Sequence, residues 1–390
     1  MIVYLDNSAT TKQYDEVTEK MVHYMSLDYG NPSSLHRMGL VAEKAVELSR
    51  QQIANSLGVR KSEIFFTSGG TESDNTAIFG VIKKYKNWSG RGNKIITTKV
   101  EHPAVMKAMD ALEQEGWEVA RLSVDADGMI DLKEFEEELD RKTVFVTMML
   151  VNNEVGSIFP VQEISRRVKE FNRKNGTEIP LHSDAIQGLG KVQLPNNLDL
   201  MSISAHKIHG PKGIGALIIR EGLNLPPFIV GGDQERGFRS GTENVPAIVG
   251  FGEACTQCFE HKIDRIQKLG KMKNYLFSGL QEEVSDILLN GGLDENVYSP
   301  GILNLSFLGI RSEVLLHFLE DDGIFVSTGS ACSSNHKGDS HVLDAMGRTK
   351  EEIQGALRFS FSEFNTIAEM DYTIEKVKKA VLGMRRLGRF

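Results

Sequence analysis

An α/β fold with a mostly parallel sheet is the fold class that this sequence predicts. Short β-rich runs alternate along the chain with longer runs of helical periodicity, and this alternation favours a parallel sheet with helices on both faces. The strand-like runs are Glu63–Thr67, Lys94–Thr98, Val144–Met149, a stretch that ends at Asp184, Leu200–Ser204 and Ala216–Arg220, and the helical runs between them include Ala42–Leu57 and Val161–Asn175. At 390 residues the chain is too long for one ordinary core, so two domains are expected.

The pattern of the chain changes after about residue 256. A long charged stretch with helical periodicity is followed by shorter strand-like runs and a last helical run; these segments are Cys258–Val284, Ile302–Phe307, Leu357–Phe361 and Met370–Arg386. We therefore expect a large domain made of residues 14–256 and a smaller α+β domain made of residues 1–13 and 257–390.

The composition narrows the class of protein. The formal net charge of -8 argues against direct binding of nucleic acid. No apolar run approaches the roughly 20 residues that a membrane helix needs, and the N-terminal sequence MIVYLDN does not have the pattern of a signal peptide. The three cysteines, Cys255, Cys258 and Cys332, are too few for a disulfide framework, which favours a reducing cytoplasmic location.

A lysine at a strand end is the first candidate for chemistry. In SISAHKIHGPKGIGALII (Ser202–Ile219), the predicted strand ends at Ser204 and Lys207 follows in a Gly- and Pro-containing loop. A lysine that bonds covalently to a carbonyl cofactor must be held at a fixed point, which a strand end provides, and Ser204 and His206 are placed to bind a phosphate. The alternative is that Lys207 is an ordinary surface lysine.

Two further strand ends carry residues suited to an aromatic phosphate cofactor. In SGGTESDN (Ser68–Asn75), glycines at a strand-to-helix turn let backbone N–H groups approach a phosphate, and Thr71 adds a hydroxyl; the alternative is a capping box with Thr71 as N-cap and Asp74 at N3. Asp184 ends another strand and could pair with a pyridinium nitrogen, with Gln187 near the ring hydroxyl. The alternative for Asp184 is a helix N-cap.

A histidine and a cysteine complete the candidates. His102 follows the strand Lys94–Thr98, so it is expected at the same edge of the sheet, where it could stack on a cofactor ring and transfer protons. The alternative is a structural histidine.

Cys332 lies in the polar Gly/Ser-rich run STGSACSSNHKGDSH, which is long enough to predict a functional loop. Nearby His336, Lys337 and His341 would favour its thiolate; the alternative is an adventitious exposed thiol. Cys255 and Cys258, in a helical stretch, are interpreted as core residues.

Taken in order, these motifs are specific as a set. They are YLDNSATT (Tyr4–Thr11), YGNPSSLH (Tyr29–His36), FTSGGTESDN (Phe66–Asn75), EHPAV (Glu101–Val105), VNNEVG (Val151–Gly156), HSDAIQ (His182–Gln187), SAHKIHGPKGIGAL (Ser204–Leu217), ERGFRSGTENV (Glu235–Val245), TGSACSS (Thr328–Ser334) and LRFSF (Leu357–Phe361). Over almost its whole length the chain resembles the NifS-type cysteine desulfurases, in the class V aminotransferase family of fold-type I enzymes that use pyridoxal 5'-phosphate (PLP). The resemblance implies a mostly parallel seven-stranded sheet flanked by helices.

The resemblance also implies a role for each candidate. Lys207 would carry PLP, Asp184 would pair with the ring nitrogen, and His102 would stack on the ring. The phosphate would be held by Gly70, Thr71, Ser204, His206 and, from the neighbouring subunit of a homodimer, Thr242; the ring oxygen would be held by Asn153 and Gln187; the substrate carboxylate would be held by Asn31, Asn153 and Arg358.

The implied reaction converts L-cysteine to L-alanine and leaves the sulfur as a persulfide on Cys332. The long insertion after Cys332 resembles the group that supplies sulfur to an acceptor protein, either an Fe–S cluster scaffold or a tRNA-thiolating enzyme. No resident metal is implied, and Cys332 would be a transient Fe–S ligand at most. Ser362-Glu363-Phe364 stands where many relatives have a second arginine, which bears on the substrate geometry.

Two other functions are compatible with parts of the pattern. Another class V PLP enzyme, such as a selenocysteine lyase or an aminotransferase, would not need a cysteine in a long polar loop. A non-catalytic sulfur-handling protein on a decayed PLP fold would not need Lys207, Asp184 and His102 together.

Overall fold

A computed structural model of the chain describes residues 1–85, 92–328 and 340–386. The helices of these ranges are α1 (Asp15–Ser26), α2 (Arg37–Leu57), α3 (Gly70–Tyr85), α4 (Pro103–Gln114), α5 (Leu132–Glu138), α6 (Val161–Asn175), α7 (Val245–Glu260), α8 (Lys262–Glu283), α9 (Ser312–Asp321), α10 (His341–Ala345), α11 (Lys350–Gln354) and α12 (Ile367–Arg386). The strands are β1 (Val3–Tyr4), β2 (Ile64–Thr67), β3 (Lys94–Thr98), β4 (Glu118–Leu122), β5 (Thr143–Met149), β6 (Leu181–Asp184), β7 (Leu200–Ser204), β8 (Gly215–Ile219), β9 (Ile287–Asn290), β10 (Ile302–Phe307), β11 (Ile324–Phe325) and β12 (Ala356–Ser360).

Seven strands of the described ranges form the large sheet, in the order β2-β8-β7-β6-β5-β3-β4. β8 runs antiparallel to both of its neighbours, and the remaining pairs are parallel. The interior strand β5 has the mostly apolar sequence TVFVTMM and is buried along its whole length. A strand buried in this way is expected where helices cover both faces of a parallel sheet. The predicted fold class is therefore confirmed.

The parallel strands bring their carboxyl ends to one edge of the sheet. The segment after β3 leads to His102, the segment after β5 leads to Asn153, β6 ends at Asp184, and the turn after β7 carries Lys207. Ligands of open α/β folds bind at this edge. The topology thus collects residues that are up to about a hundred positions apart in the sequence.

The remaining strands form two small sheets. β9, β10 and β12 pair antiparallel in the order β12-β10-β9, and β1 pairs parallel with β11. Val3 and Leu5 share a buried apolar cluster with residues between Leu269 and Met384. This shared core is consistent with a small domain made of both chain ends, although the boundaries at residues 13 and 256 stay a prediction.

The structure corrects one predicted element and adds others. The predicted helix Cys258–Val284 is two helices, because α7 ends at Glu260 and α8 begins at Lys262. His261 at the junction has non-helical backbone angles (φ -115°, ψ 30°). The sequence had not indicated β1, β4, β9 or β11, of which β1 and β11 have only two residues each. Among the described residues, no helix combines the length and apolar composition needed to cross a membrane.

Candidate active site

Lys207 lies in a 3-10 turn, Ala205–Lys207, that directly follows β7. Its Nζ donates hydrogen bonds to the carbonyl oxygens of Ser8 and Ala9, the latter at 2.8 Å. The residue is only partly exposed. The surface-lysine interpretation is therefore wrong, since the amine points into a site lined by the N-terminal segment.

The N-terminal segment is tied to the turn of Lys207 by several hydrogen bonds. The Thr11 hydroxyl donates to the His206 carbonyl oxygen (2.9 Å) and accepts from the His209 N–H (2.7 Å). The Tyr14 N–H donates to the His209 carbonyl oxygen (3.0 Å). This network fixes the lysine backbone between two parts of the chain that are about 200 residues apart.

Asp184 is a buried carboxylate at the end of β6. Its Oδ1 accepts a hydrogen bond from the Ile186 N–H at 3.0 Å, and the residues after it form turns, so it is not a helix N-cap. Burial raises the pKa of Asp184 to about 6, although the Ile186 N–H and the charge of Lys207 act in the opposite direction. A buried carboxylate with a raised pKa is suited to binding a cationic ring nitrogen.

His102 faces Asp184, and the nearest side-chain ligand atoms of Asp74, His102 and Asp184 all lie within 4.8 Å of one another. His102 is the N-cap of α4, and its Nδ1 accepts a hydrogen bond from the Ala104 N–H at 3.2 Å. Burial lowers the pKa of His102 to about 4, and the charges of Lys207 and His341 contribute. The ring is therefore neutral at pH 7, with its proton on Nε2, where it can stack or transfer a proton.

Of the predicted phosphate residues, Ser204 lies next to Gly70 at the N-terminus of α3. The buried Ser204 Oγ has no hydrogen-bond partner within the described residues, which leaves a polar group for a ligand to satisfy. His206 Nδ1 lies 3.2 Å from the Thr10 Oγ1, and burial followed by the charge of Lys207 lowers its pKa to about 3. Thr71 is exposed inside the first turn of α3, so the capping-box interpretation is wrong.

Gly70 packs closely against the side chain of Ile186. A Cβ at this position would lie 2.1 Å from Ile186 Cδ1. The glycine thus allows the first turn of α3 to pack on the turn after Asp184. This contact brings the helix N-terminus, which attracts anions, beside the carboxylate.

Gln187 and Asn153 are each held by hydrogen bonds to residues at the predicted site. The Gln187 Nε2 donates to the Ser8 carbonyl oxygen (2.8 Å), and its Oε1 accepts from Lys191 Nζ (3.4 Å). The Asn153 carbonyl oxygen accepts a hydrogen bond from Arg358 Nη1 (2.8 Å). Gln187 is therefore fixed next to the lysine site, and Asn153 is fixed next to the predicted carboxylate site.

Arg358, on β12, is 3% exposed. Its Nη2 forms an ion pair with Asp6 Oδ1 at 2.9 Å. Asp6 and the Asn153 carbonyl oxygen engage two of the five N–H donors, so others remain for an anionic ligand. This arrangement fits the role of a carboxylate-binding residue.

Asn31 and Thr242 are at the surface. The Asn31 Oδ1 accepts a hydrogen bond from the Ser33 N–H (2.9 Å). Thr242 is exposed and lines a cavity of about 170 Å³ together with Ser68 of the same chain. Both side chains are exposed, and the roles assigned to them from the sequence stay a prediction.

Cys332, together with His336 and Lys337, lies outside the described residues. Ser327 forms a two-way backbone bridge with Arg358 (2.7 and 3.2 Å). On the other side, the Ser340 hydroxyl donates to Glu154 Oε2, and His341 Nε2 donates to the Glu101 carbonyl oxygen at 3.1 Å. Ser340 and His341 thus contact the segments that follow β5 and β3 at the edge of the large sheet, whereas Ser327 contacts β12 of the small sheet through Arg358.

The other two cysteines are core residues, as predicted. Cys255 and Cys258 are 0% and 1% exposed, and burial raises the pKa of both thiols. Cys258 Sγ lies 2.7 Å from Arg265 Nη1.

Two buried carboxyls beside the site were not predicted. Burial and the charge of Asp184 raise the pKa of Asp74 well above its usual range, and burial raises the pKa of Glu101 to about 8. Asp74 shares the spacing of the buried apolar residues Ala77, Ile78 and Val81 in α3. An acid on an apolar helix face is a signal in the sequence that could have indicated it.

Glu363 pairs with residues near the turn of Lys207, and Arg358 pairs with Asp6. The Glu363 carboxylate contacts the Tyr14 hydroxyl and His209 Nε2 behind the turn of Lys207. Among the described residues, the Glu363 carboxylate thus has its contacts with Tyr14 and His209 and not with Arg358. The expected effect of Ser362-Glu363-Phe364 on the substrate carboxylate site therefore stays a prediction.

Comparison with known proteins places these features in a family. The sequence profile described as Aminotransferase class-V matches residues 3–373. The chain is 41% identical over 388 residues to the cysteine desulfurase IscS of Clostridium botulinum strain Hall, covering 99% of this chain and 96% of that protein. It is 42% identical over 392 residues to the cysteine desulfurase of Trichormus azollae, covering 100% and 95%. A solved NifS-like protein superposes with a TM-score of 0.90 at 39% identity and covers 98% of this chain and 100% of its own.

Proposed function

We propose that this chain, which belongs to the aminotransferase class-V family and within it to the cysteine desulfurases, takes the sulfur atom from L-cysteine and carries it as a persulfide on Cys332. The observation that carries the proposal is the convergence of Lys207, Asp184 and His102 at the carboxyl edge of the large sheet. A decayed fold would have no reason to keep these three groups together in a partly buried site.

The family depends on PLP, and the residues of this site fit that cofactor. Asp184 would hold the ring nitrogen, His102 would stack on the ring, and Lys207 would form the covalent attachment. Ser204, whose hydroxyl lacks a partner among the described residues, would bind the phosphate with His206, Thr71 and the N-terminus of α3. When bound, PLP withdraws electrons from the substrate Cα.

Lys207 would then serve as the base. Its Nζ already lies in the site, where hydrogen bonds to the Ser8 and Ala9 carbonyl oxygens orient it. Arg358 would bind the carboxylate of L-cysteine through the donors that Asp6 and Asn153 leave free, which orients the Cα–H bond toward Lys207. The neutral His102 would supply or accept a proton at Nε2.

Cys332 would act on the sulfur of the bound substrate. Its thiolate attacks that sulfur, a S–S bond forms, and the C–S bond breaks with its electron pair left on carbon, which takes a proton to give L-alanine. Covalent geometry supports this assignment, because Cys332 comes four positions after Thr328 in the sequence, which limits the distance between their Cα atoms to about 14 Å. Thr328 follows Ser327, which is bridged to Arg358.

The assembly and the acceptor are further parts of the proposal. A homodimer would bring Thr242 of one copy to the phosphate of the other, which suits its exposed position. The persulfide would pass to an acceptor protein, either an Fe–S scaffold or a tRNA-thiolating enzyme, with Cys332 as a transient Fe–S ligand at most. A cytoplasmic location would keep Cys332 reduced.

Mass spectrometry after brief exposure to L-cysteine tests the proposal. The expected result is one added sulfur atom, mapped to the peptide that contains Cys332, with release of L-alanine. Reduction with a thiol should remove the added mass. A sulfur mapped to Cys255 or Cys258, or consumption of cysteine without alanine, would contradict the proposed reaction.

A further inference from the structure

A strained turn precedes Thr242 in the chain. Glu235 and Arg236 have left-handed backbone angles, with φ of 47° and 57°, and Gly237 continues the turn with φ of 75°. Two consecutive non-glycine residues in this conformation are unfavourable for steric reasons, so other contacts must hold them. The side chains of the same two residues provide these contacts.

Glu235 is anchored in the interior of the protein. Its Oε1 lies 2.7 Å from Arg50 Nη2, and its Oε2 accepts from Arg50 Nη1 and from the Phe66 N–H, both at 2.9 Å. The side chains of Arg50 and Glu235 are 6% and 3% exposed. A bidentate ion pair on α2 and a backbone donor on β2 thus fix one end of the turn.

Arg236 holds the other side of the turn. Its guanidinium donates to the Ser62 and Ile64 carbonyl oxygens, both at 2.7 Å, and lies over the Phe65 ring at 4.3 Å from the centroid. The turn is therefore attached to both ends of the segment that enters β2.

The segment between this turn and Thr242 is tied to the phosphate end of the site. Arg239 donates to Glu72 at 2.8 and 3.2 Å, and Glu72 accepts from the Ser68 N–H at 2.9 Å. Glu72 follows Thr71 in the first turn of α3. The loop is thus positioned relative to its own helix N-terminus while Thr242 stays exposed.

We propose that Arg50 and Glu235 are positioning residues that hold the loop of residues 235–242 so that Thr242 completes the phosphate site of a second copy. The proposal rests on the homodimer of the proposed function. Glycines would adopt the left-handed angles without strain. Glycines would not, however, fix the position of the turn. The side chain of Glu235 fixes it by binding to α2 and β2, and a fixed loop is needed if Thr242 is to reach a neighbouring subunit.

Heterodimers in which only one of the two sites can be labelled with PLP test this inference. One copy carries Lys207→Ala, so that borohydride can fix PLP only on Lys207 of the other copy. In the first arrangement Glu235→Gln is on the Lys207→Ala copy; in the second it is on the copy that keeps Lys207. The measurement is the PLP concentration that gives half-maximal labelling, read by mass spectrometry of the intact chains.

The first arrangement should need roughly tenfold more PLP, because it loses about one well-placed hydrogen bond to the phosphate. The second should match heterodimers without Glu235→Gln. Equal impairment in both arrangements, or impairment only in the second, would show that Glu235 merely supports its own subunit and would overturn the inference. Arg50→Lys, which keeps the charge but loses the bidentate geometry, should give the same asymmetry and serves if Glu235→Gln does not fold.

Thr242→Ala in the same two arrangements separates this inference from the proposed dimer site. An asymmetry for Thr242→Ala without one for Glu235→Gln would refute the role of Glu235 and leave the dimer site standing. No asymmetry for Thr242→Ala would refute both. Glu221→Gln, at an exposed carboxylate that pairs with Arg60, is the matched control and should leave both arrangements unchanged.

Discussion

Glu363 Oε2 lies 3.1 Å from His209 Nε2 and links the end of β12 to the turn that carries Lys207. The other ring nitrogen, His209 Nδ1, lies 2.7 Å from the Lys12 carbonyl oxygen. Both ring nitrogens of His209 therefore face oxygen acceptors. Burial alone raises the pKa of the Glu363 carboxyl, but hydrogen bonds from His209 and Tyr14 and the charge of His209 lower it to about 2.

Glu363→Gln should therefore destabilise the protein in a pH-dependent way. The folded pKa lies below the ordinary value of 4.5, so the carboxylate contributes stability above about pH 4.5 and loses it as the pH falls toward 2. We expect a loss of up to about 3 kcal/mol at pH 7, shrinking as the pH falls. Urea unfolding between pH 7 and pH 3 measures the difference. A deficit that is constant with pH, or one equally large in the exposed control Glu313→Gln, would contradict the ion pair.

The sequence predicted those elements of the fold whose own residues carry a clear pattern and missed those without one. β3 (KIITT) and β7 (LMSIS) coincide with their predicted runs, Lys94–Thr98 and Leu200–Ser204, because each is a short run rich in apolar or β-branched residues. β4 was missed because it is a partly exposed edge strand with the mixed sequence EVARL. The break between α7 and α8 was missed because no glycine or proline accompanies His261.

The site followed the same rule. Lys207, Asp184 and His102 were predicted to lie together because each stands at or shortly after the end of a strand, and parallel strands bring such positions together. The partners of Glu363 and Glu235 were not predicted, because His209 and Arg50 are more than 150 residues away in the sequence. Only the packing of the chain determines which buried charges meet.

Lys207→Ala should abolish covalent attachment of PLP and the desulfurase activity. No borohydride-stable adduct should be detected by mass spectrometry, and alanine formation should fall by at least about three orders of magnitude, as for loss of a covalent and acid–base residue. Lys212→Ala, at an exposed lysine five residues further along, is the matched control and should keep both properties. An adduct that persists in Lys207→Ala would move the attachment site to another amine.

Glu101→Gln should stabilise the cofactor-free protein at alkaline pH. The folded pKa of about 8 lies above the ordinary 4.5, so stability that is present below pH 4.5 is lost as the pH rises through 8. The glutamine does not titrate, and the Tm difference between variant and wild type should therefore grow from pH 5 to pH 9, corresponding to a few kcal/mol. The exposed Glu137→Gln should show no such trend. A Tm difference that does not change with pH would show that the Glu101 carboxyl is not the group that titrates.

Arg358→Lys should weaken binding of the substrate carboxylate. Loss of the planar donor set should raise KM for L-cysteine about tenfold or more, with a smaller change in the PLP concentration needed for labelling. Cysteamine, which lacks the carboxylate, should be affected much less. Asp6→Asn separates this role from the ion pair, because it removes the partner and leaves the guanidinium in place. An equal effect on cysteine and cysteamine would assign Arg358 a structural role.

Cys332→Ser should separate binding of the substrate from transfer of its sulfur. PLP attachment depends on Lys207, Asp184 and the phosphate residues, so borohydride labelling and the spectral response to L-cysteine should be unchanged. Sulfur transfer should stop, because a hydroxyl is a far weaker nucleophile toward sulfur than a thiolate. Cys255→Ala, at a buried thiol, is the control for loss of a sulfur atom and should keep transfer, apart from the modest destabilisation expected of a core truncation. Mass spectrometry measures the persulfide. Delivery is measured as the amount of sulfur transferred to a small-molecule thiol acceptor. Delivery at the wild-type rate by Cys332→Ser would falsify the persulfide mechanism, because the thiolate would then have no part in the removal of sulfur from cysteine.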